Sequence, residues 1–258
     1  MIWRKVKKMN YKNIRIGERN LNSYGTEMVI IDYLNSVNVT VEFQDEYKYK
    51  TNTTYHSFKS GKVRNPFDRT VMEIGFLGIG DYSAKNNHRA YQVWVDMLKR
   101  CYNPHNINIA SCYDDCFVCE EWEDFQKFAE WYEYNYYEVN SETMHLDKDI
   151  LFKGNVIYSP NTCIFVPQKI NDIFVVQQKI KNNGLPIGCY IADGRLCVSC
   201  RVGDKRVNKS GFKQVDDAFS FYKTTKENYI KQVAEEYREY IPEKLYQTLI
   251  NYEIDMYK

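Results

Sequence analysis

The stretch Met144-His145-Leu146-Asp147-Lys148-Asp149-Ile150-Leu151, continued by Lys153-Gly154-Asn155, Tyr158-Ser159-Pro160, Cys163-Ile164-Phe165-Val166 and Pro167, decides the fold of the middle of this chain. Apolar residues alternate with polar ones from Met144, which predicts a strand. Gly154 and Asn155 predict a turn, and Cys163–Val166 a second strand. Pro167 suits the first turn of a helix, where its missing N–H has no partner to lose. The order is therefore strand, loop, strand, helix.

Upstream, Tyr91, Trp94, Val95, Leu98 and Cys101 recur at helical spacing and predict a helix ending near Cys101-Tyr102-Asn103-Pro104. A second helix is predicted through Trp122, Phe125, Phe128, Ala129, Trp131 and Tyr132. From Ile14 to Pro66 the strand signals Met28–Tyr33 and Val37–Phe43 predict a small β module of four or five strands, barrel-like or a curled sheet. The run Gly75–Gly80, with little periodicity, reads as a linker. Its glycines match neither a Walker pattern nor the dinucleotide fingerprint.

Downstream, Gly188–Ile191 and Arg195–Arg201 flank Ala192-Asp193-Gly194, a hairpin signal, with another turn at Gly203-Asp204 and a third strand ending near Phe212. A helix follows with Val215, Ala218, Phe219, Tyr222 and Tyr229 on one stripe. Tyr229 to Tyr257 reads as a helical pair broken at Pro242, bracing the core or offering a homodimer surface.

The net charge is only +1, but the charges are segregated along the 258 residues. Arg4, Lys5, Lys7, Lys8, Lys12, Arg15 and Arg19 face Glu18 alone, and Lys179, Lys181, Arg195, Arg201, Lys205, Arg206 and Lys209 face only Asp193 and Asp204. Both runs suit phosphate. Between them Asp114, Asp115, Glu120, Glu121, Glu123, Asp124, Glu130, Glu133, Glu138 and Glu142 face only Lys127, a surface that repels DNA and attracts a basic partner. No apolar run approaches a membrane span, and the basic start leads into polar residues, so a cytoplasmic protein with reduced cysteines is expected. Cys112, Cys116 and Cys119, with Cys101 or His105 as a fourth ligand, have spacing suited to a structural zinc, the alternative being buried thiols. Cys197 and Cys200 have the spacing of a redox pair but alternate along an expected strand.

Three strings carry a family resemblance. They are Tyr91-x-x-Trp94-x-x-Met97-x-x-Arg100-Cys101-Tyr102-Asn103-Pro104, then Val118-Cys119-Glu120-Glu121-Trp122-x-x-Phe125-x-x-Phe128-x-x-Trp131, then Leu146–Ile150 through Gly154-Asn155 to Tyr158-Ser159-Pro160-x-Thr162-Cys163-x-Phe165-Val166-Pro167. Together they resemble the bacteriophage HNH-like homing-endonuclease family. The resemblance implies a ββα unit holding Mg²⁺ or another divalent ion, with a histidine that activates water. The general-base position falls at Lys148, the central asparagine at Thr162 or Asn161, and the helix-borne ligand near Asn171. Two or three departures at these positions argue for a scaffold without hydrolysis. Asp147 and Asp149 with Asn171 are the remaining candidate metal ligands, and His145 the substitute base, because residues two apart on a strand share a face. The structural alternative has Lys148 paired with its acidic neighbours, Asp147 and Asn155 capping turns, and His145 at the surface.

Ile187-Gly188 and Asp216-Asp217-Ala218-Phe219-x-x-Tyr222-Lys223 resemble the ethylene-response-factor DNA-binding domain, which implies a three-stranded sheet in the major groove. Tyr190, Arg195, Ser199, Arg201, Lys205 and Arg206 are the DNA-binding residues this implies.

The expected architecture is α+β, with a β module and basic arm over 1–68, a linker over 69–89, an HNH-like ββα domain over 90–180, and a three-stranded domain with helical tail over 184–258. The expected function is binding of double-stranded DNA by a phage-encoded protein whose nuclease centre has degenerated. An active metal-dependent endonuclease, and a plain transcriptional regulator, are the nearer alternatives. A different class is an anti-CRISPR-like inhibitor that binds a host defence protein or nucleoprotein complex through aromatic anchors, for which the 16% aromatic content is suited.

Overall fold

A computed structural model describes residues 14–103, 115–174 and 184–256. The basic positions Arg4 to Lys12, the acidic Asp114, the candidate ligands His105 and Cys112, and Lys179 and Lys181 lie outside the described residues. The fold is α+β and divides into two compact units, Met1–Glu133 and Tyr134–Lys258. The division falls inside the segment 90–180 that the HNH-like resemblance spans.

In the N-terminal unit, β1 (Arg19–Leu21), β2 (Glu27–Asn35), β3 (Asn38–Phe43) and β4 (Lys50–Thr53) form an antiparallel meander in that order. One face is the core: Met28, Ile30, Val39, Val41 and Phe43 are fully buried with Phe58 of the short helix α1 (Tyr55–Lys59). Strict alternation along β2 would bury Asp32. A register shift between Ile30 and Asp32 reverses the parity, so Asp32 pairs with Thr40 and Tyr33 enters the core opposite Val39. Asp68, a buried carboxylate, closes the module by accepting hydrogen bonds from Asn22 Nδ2 at 2.6 Å and Thr26 Oγ1 at 2.5 Å.

The Gly75–Gly80 stretch, expected as a linker, is packed. A Cβ on Gly75 would lie 2.6 Å from Leu98 Cδ1 and from the Trp94 ring, and one on Gly78 would lie 2.3 Å from Asp124 Oδ1. Here the glycines let backbone lie directly on side chains, which a composition-based reading takes for looseness. Trp94 and Leu98 belong to α2 (His88–Tyr102), and Trp94 Nε1 donates to Trp122 O at 2.7 Å. After β5 (Phe117–Val118) the expected second helix splits into a 3-10 turn, Glu120–Glu123, and α3 (Phe125–Asn135). Asp124 is extended because Phe76 clasps the backbone on either side of it, receiving from Phe125 N at 3.0 Å and donating to Glu123 O at 2.9 Å.

In the C-terminal unit, β6 (Met144–Asp147) pairs antiparallel with β8 (Ile164–Pro167), β7 (Ile157–Tyr158) lies in the connection, and α4 (Gln168–Phe174) follows at once. Pro167 is the last strand residue rather than the first helical one. There β9 (Cys189–Ala192), β10 (Arg195–Val202) and β11 (Lys205–Phe212) form a three-stranded antiparallel sheet with β10 in the centre. Asp193 and Gly194 have φ of 49° and 71°, the two positive values a type I′ hairpin turn requires.

Two helices close the unit, α5 (Val215–Tyr237) and α6 (Glu243–Ile250), the latter capped by Pro242. The first half of α5 packs Ala218, Phe219 and Tyr222 on the sheet residues Val198 and Cys200. Its second half packs Tyr229, Ile230 and Val233 with Val166, Ile170 and Ile173 of the ββα element and with Leu245 and Leu249 of α6. One helix, about 34 Å long at 1.5 Å per residue, thus serves both cores. Gly188 explains how closely the sheet approaches it: a Cβ there would fall 2.1 Å from the Tyr222 ring. Among the described residues no helix is long and apolar enough to cross a membrane.

Candidate functional site: the ββα centre and the outer sheet face

The ββα element brings the expected catalytic residues together in a structural arrangement. Lys148 is 8% exposed. Its ammonium donates to Asn155 O at 2.9 Å and to Asp149 Oδ2 at 3.2 Å, with the Tyr158 ring centroid 6.0 Å away. Asn155 returns the contact, donating through Nδ2 to Lys148 O and to Ile157 O, both at 2.7 Å. Thr162 Oγ1 donates to Ile157 O at 2.8 Å. These bonds stitch the loop between the strands.

Asp147 Oδ1 accepts the N–H groups of Asp149 at 3.0 Å and Ile150 at 2.7 Å, closing a turn at the end of β6. Burial, and after it the Asp149 carboxylate, push the Asp147 carboxyl above its usual range, while those N–H groups and Lys148 pull it back. His145 is half-buried rather than at the surface. Its Nε2 donates to Gln168 Oε1, and Gln168 Nε2 donates to Asp172 Oδ1 at 2.5 Å. Asn171 is half-buried on α4 and hydrogen-bonds to neither aspartate.

These donors do not suit a divalent ion. Asp147 is engaged by backbone, Asp149 by an ammonium, and a cation between them would meet the Lys148 charge. Among the described residues no group of three or more His, Cys, Asp or Glu side chains is placed to hold a metal. Cys101, Cys116 and Cys119 do not gather into such a group, and all seven described cysteines are outside disulfides. Burial pushes the Cys119 thiol up, and does the same for Cys189 and Cys200.

The three-stranded sheet offers a different surface. Val198, Cys200 and Leu196 point to α5, so Arg195, Cys197, Ser199 and Arg201 point away from it. Residues directly opposite share a face. Tyr190 opposite Cys197, Ala192 opposite Arg195, Asn208 opposite Ser199, Arg206 opposite Arg201, and Ser210 opposite Cys197 therefore complete the outer face. It carries three arginines and no acid, since none of the three strands contains an aspartate or glutamate. Asp193 and Asp204 stand in the turns. Among the described residues none of these arginines is in an ion pair, although Arg201, at the end of the outer face, turns back at the hairpin, its Nε donating to Gly203 O at 3.1 Å and the residue lining a cleft with Lys226 and Tyr229 of α5.

Five of the six expected DNA-binding residues thus share one face. Lys205 does not: it pairs with Val202, on the helix side. Asn208 and Ser210 were missed by reading the sequence. Alternation along β11 from Arg206 could have found both, since the register is unbroken from Arg206 to Ser210; the shift comes after Ser210, where Gly211, at φ 85°, has no partner and Phe212 pairs with Leu196.

No protein-family model matches the chain, and no curated protein or solved structure matches it significantly.

Proposed function

We propose that this chain is a duplex-DNA-binding protein of the phage HNH homing-endonuclease kind, in which the β9–β11 sheet meets DNA and the ββα element braces it without cutting. The outer sheet face carries the reading. Its width of three strands suits the major groove, its arginines reach base edges and phosphates, and Ser199, Asn208 and Tyr190 supply further hydrogen bonds. The ββα element keeps the order of the resemblance, but Lys148 joins the loop together where a water-activating base would stand.

Incubation with supercoiled plasmid and a pool of short duplexes, with Mg²⁺, with Mn²⁺ or with chelator, tests both halves. The expected result is equal retention of duplex in all three conditions and no nicking. Metal-dependent nicks lost in Asp147→Ala would overturn the non-cutting half, and absence of retention the binding half. One observation favours a second reading. Glu120, Glu121, Glu130 and Glu133 are exposed in the N-terminal unit, a surface suited to a basic protein partner such as a host defence complex. Failure to retain DNA promotes that reading.

A further inference from the structure

Lys226, in the middle of α5, lines two cavities of the C-terminal unit, a polar cleft of about 420 Å³ and a cavity of about 500 Å³. The larger is walled by Phe174, Ile187, Tyr222, Ile230, Tyr252 and Ile254. Its size falls within the range of roughly 300–1,000 Å³ typical of small-molecule sites. Its apolar walls come from both sides of α5, Phe174 from the ββα element and Ile187 from the lead into β9.

Among the described residues, the charges around the larger cavity are matched except at Lys226 and Glu253. Asp149 is paired with Lys148, and Lys153 with Asp255 at 3.2 Å and with Glu253 O. The Glu253 side chain is exposed to water. On the polar side, Lys169 is paired with Glu236 at 2.5 Å, Glu142 accepts from the Tyr237 hydroxyl, and Asp172 accepts from Gln168. Lys226 has neither an ion pair nor a hydrogen bond among the described residues, and its ammonium lies 5.9 Å from the Tyr229 ring centroid. Burial holds its pKa below the ordinary lysine value; Cys200 opposes this and the Arg201 guanidinium adds to it.

We propose that the larger cavity binds a small amphipathic carboxylate, its apolar body among Phe174, Ile187, Tyr222, Tyr252 and Ile254 and its carboxylate on the Lys226 ammonium. A desolvated ammonium without an acceptor is unfavourable, and an incoming anion supplies the missing partner. Among the described residues the other cation of the cavity, Lys153, already holds Asp255, which leaves Lys226 to receive the anion. A cationic ligand would face the same ammonium, with every nearby acid among the described residues engaged except the solvent-exposed Glu253 and Asp204. This site is independent of the DNA reading.

Calorimetry with octanoate, 1-octanol and octyltrimethylammonium as probes of one chain length tests it on the intact protein. Octanoate is expected to bind one molecule per chain, about tenfold or more tighter than 1-octanol, the factor a charge-assisted hydrogen bond supplies. Octyltrimethylammonium is expected to bind more weakly than 1-octanol. Lys226→Met should bring octanoate down to the affinity of 1-octanol while leaving 1-octanol unchanged, and Lys226→Arg should keep the preference. Ile254→Trp, which fills the cavity, should weaken both. Equal affinity of octanoate and 1-octanol in the wild type, or no binding of any probe, overturns the proposal. If Lys226→Met loses 1-octanol as well, the cavity has collapsed, and the wild-type ratio with Lys226→Arg decides.

Discussion

Alanine at Arg195, Arg201 and Arg206 together is expected to weaken duplex binding on the order of 100-fold or more at fixed moderate salt. Each guanidinium that touches a phosphate or a base edge contributes about 1–3 kcal/mol, so the loss of three reaches ~3 kcal/mol even at the low end. All three are exposed, so the melting temperature should stay within a few degrees of wild type, as is usual for surface substitutions worth about 0.5 kcal/mol or less. Lys205→Ala is the internal control. Lys205 is adjacent to Arg206 in sequence, yet pairing with Val202 turns it to the other face. Removing it should lower affinity by no more than the few-fold of a distant charge. Fluorescence anisotropy with labelled duplex measures all four proteins. Equal losses from Lys205→Ala and Arg206→Ala would show that total charge, rather than this face, determines binding.

Lys148→Ala is expected to destabilise the C-terminal unit by about 2–3 kcal/mol, below the ~3–5 kcal/mol for breaking a fully buried pair because the Asp149 side chain is 50% exposed. The lost ammonium leaves Asn155 O without its donor and opens a gap beside Tyr158. Lys148→Met keeps the stem and should lose about 1–2 kcal/mol, the hydrogen-bonded part alone. Chemical denaturation reads both. Lys148→His returns the residue type that the family resemblance expects, and it should destabilise without producing metal-dependent nicks, since Asp147 remains engaged by two backbone N–H groups. Full stability of Lys148→Ala would contradict the bracing role.

Much of the C-terminal unit was legible because local chemistry and tertiary structure agree there. Asp193-Gly194 demands a tight hairpin, and the stripe through Ala218, Phe219, Tyr222 and Tyr229 is buried as its spacing implies. The strand, loop, strand, helix order around Leu146 was likewise readable from alternation and turn residues. Three kinds of information were not. Register shifts at Ile31 and Gly211 reverse which side chains face inward; nothing local marks the first, and only a glycine within the strand hints at the second. The Gly75–Gly80 run reads as a linker, but its partners Trp94, Leu98, Asp124 and Gln126 come from elsewhere in the chain. Lys148, between two aspartates, has the composition of a solvated turn. It is buried because the carbonyl of Asn155 folds back seven residues to receive its ammonium. Lys226 was equally silent, since an unmatched lysine is recognised only once the acids around it have found other partners.

The central claim is that the outer sheet face binds phosphate and bases. Its most direct test is the affinity of the wild-type protein and of the triple arginine variant for one duplex across a salt series. Counterion release makes log K fall linearly with log salt, with a slope of about −0.9 per neutralised phosphate. A steep slope in the wild type, shallower by about 2 to 3 in the variant, is the predicted result. A flat wild-type line, or a slope unchanged by removal of the three arginines, would contradict the account and move the DNA contact away from this sheet.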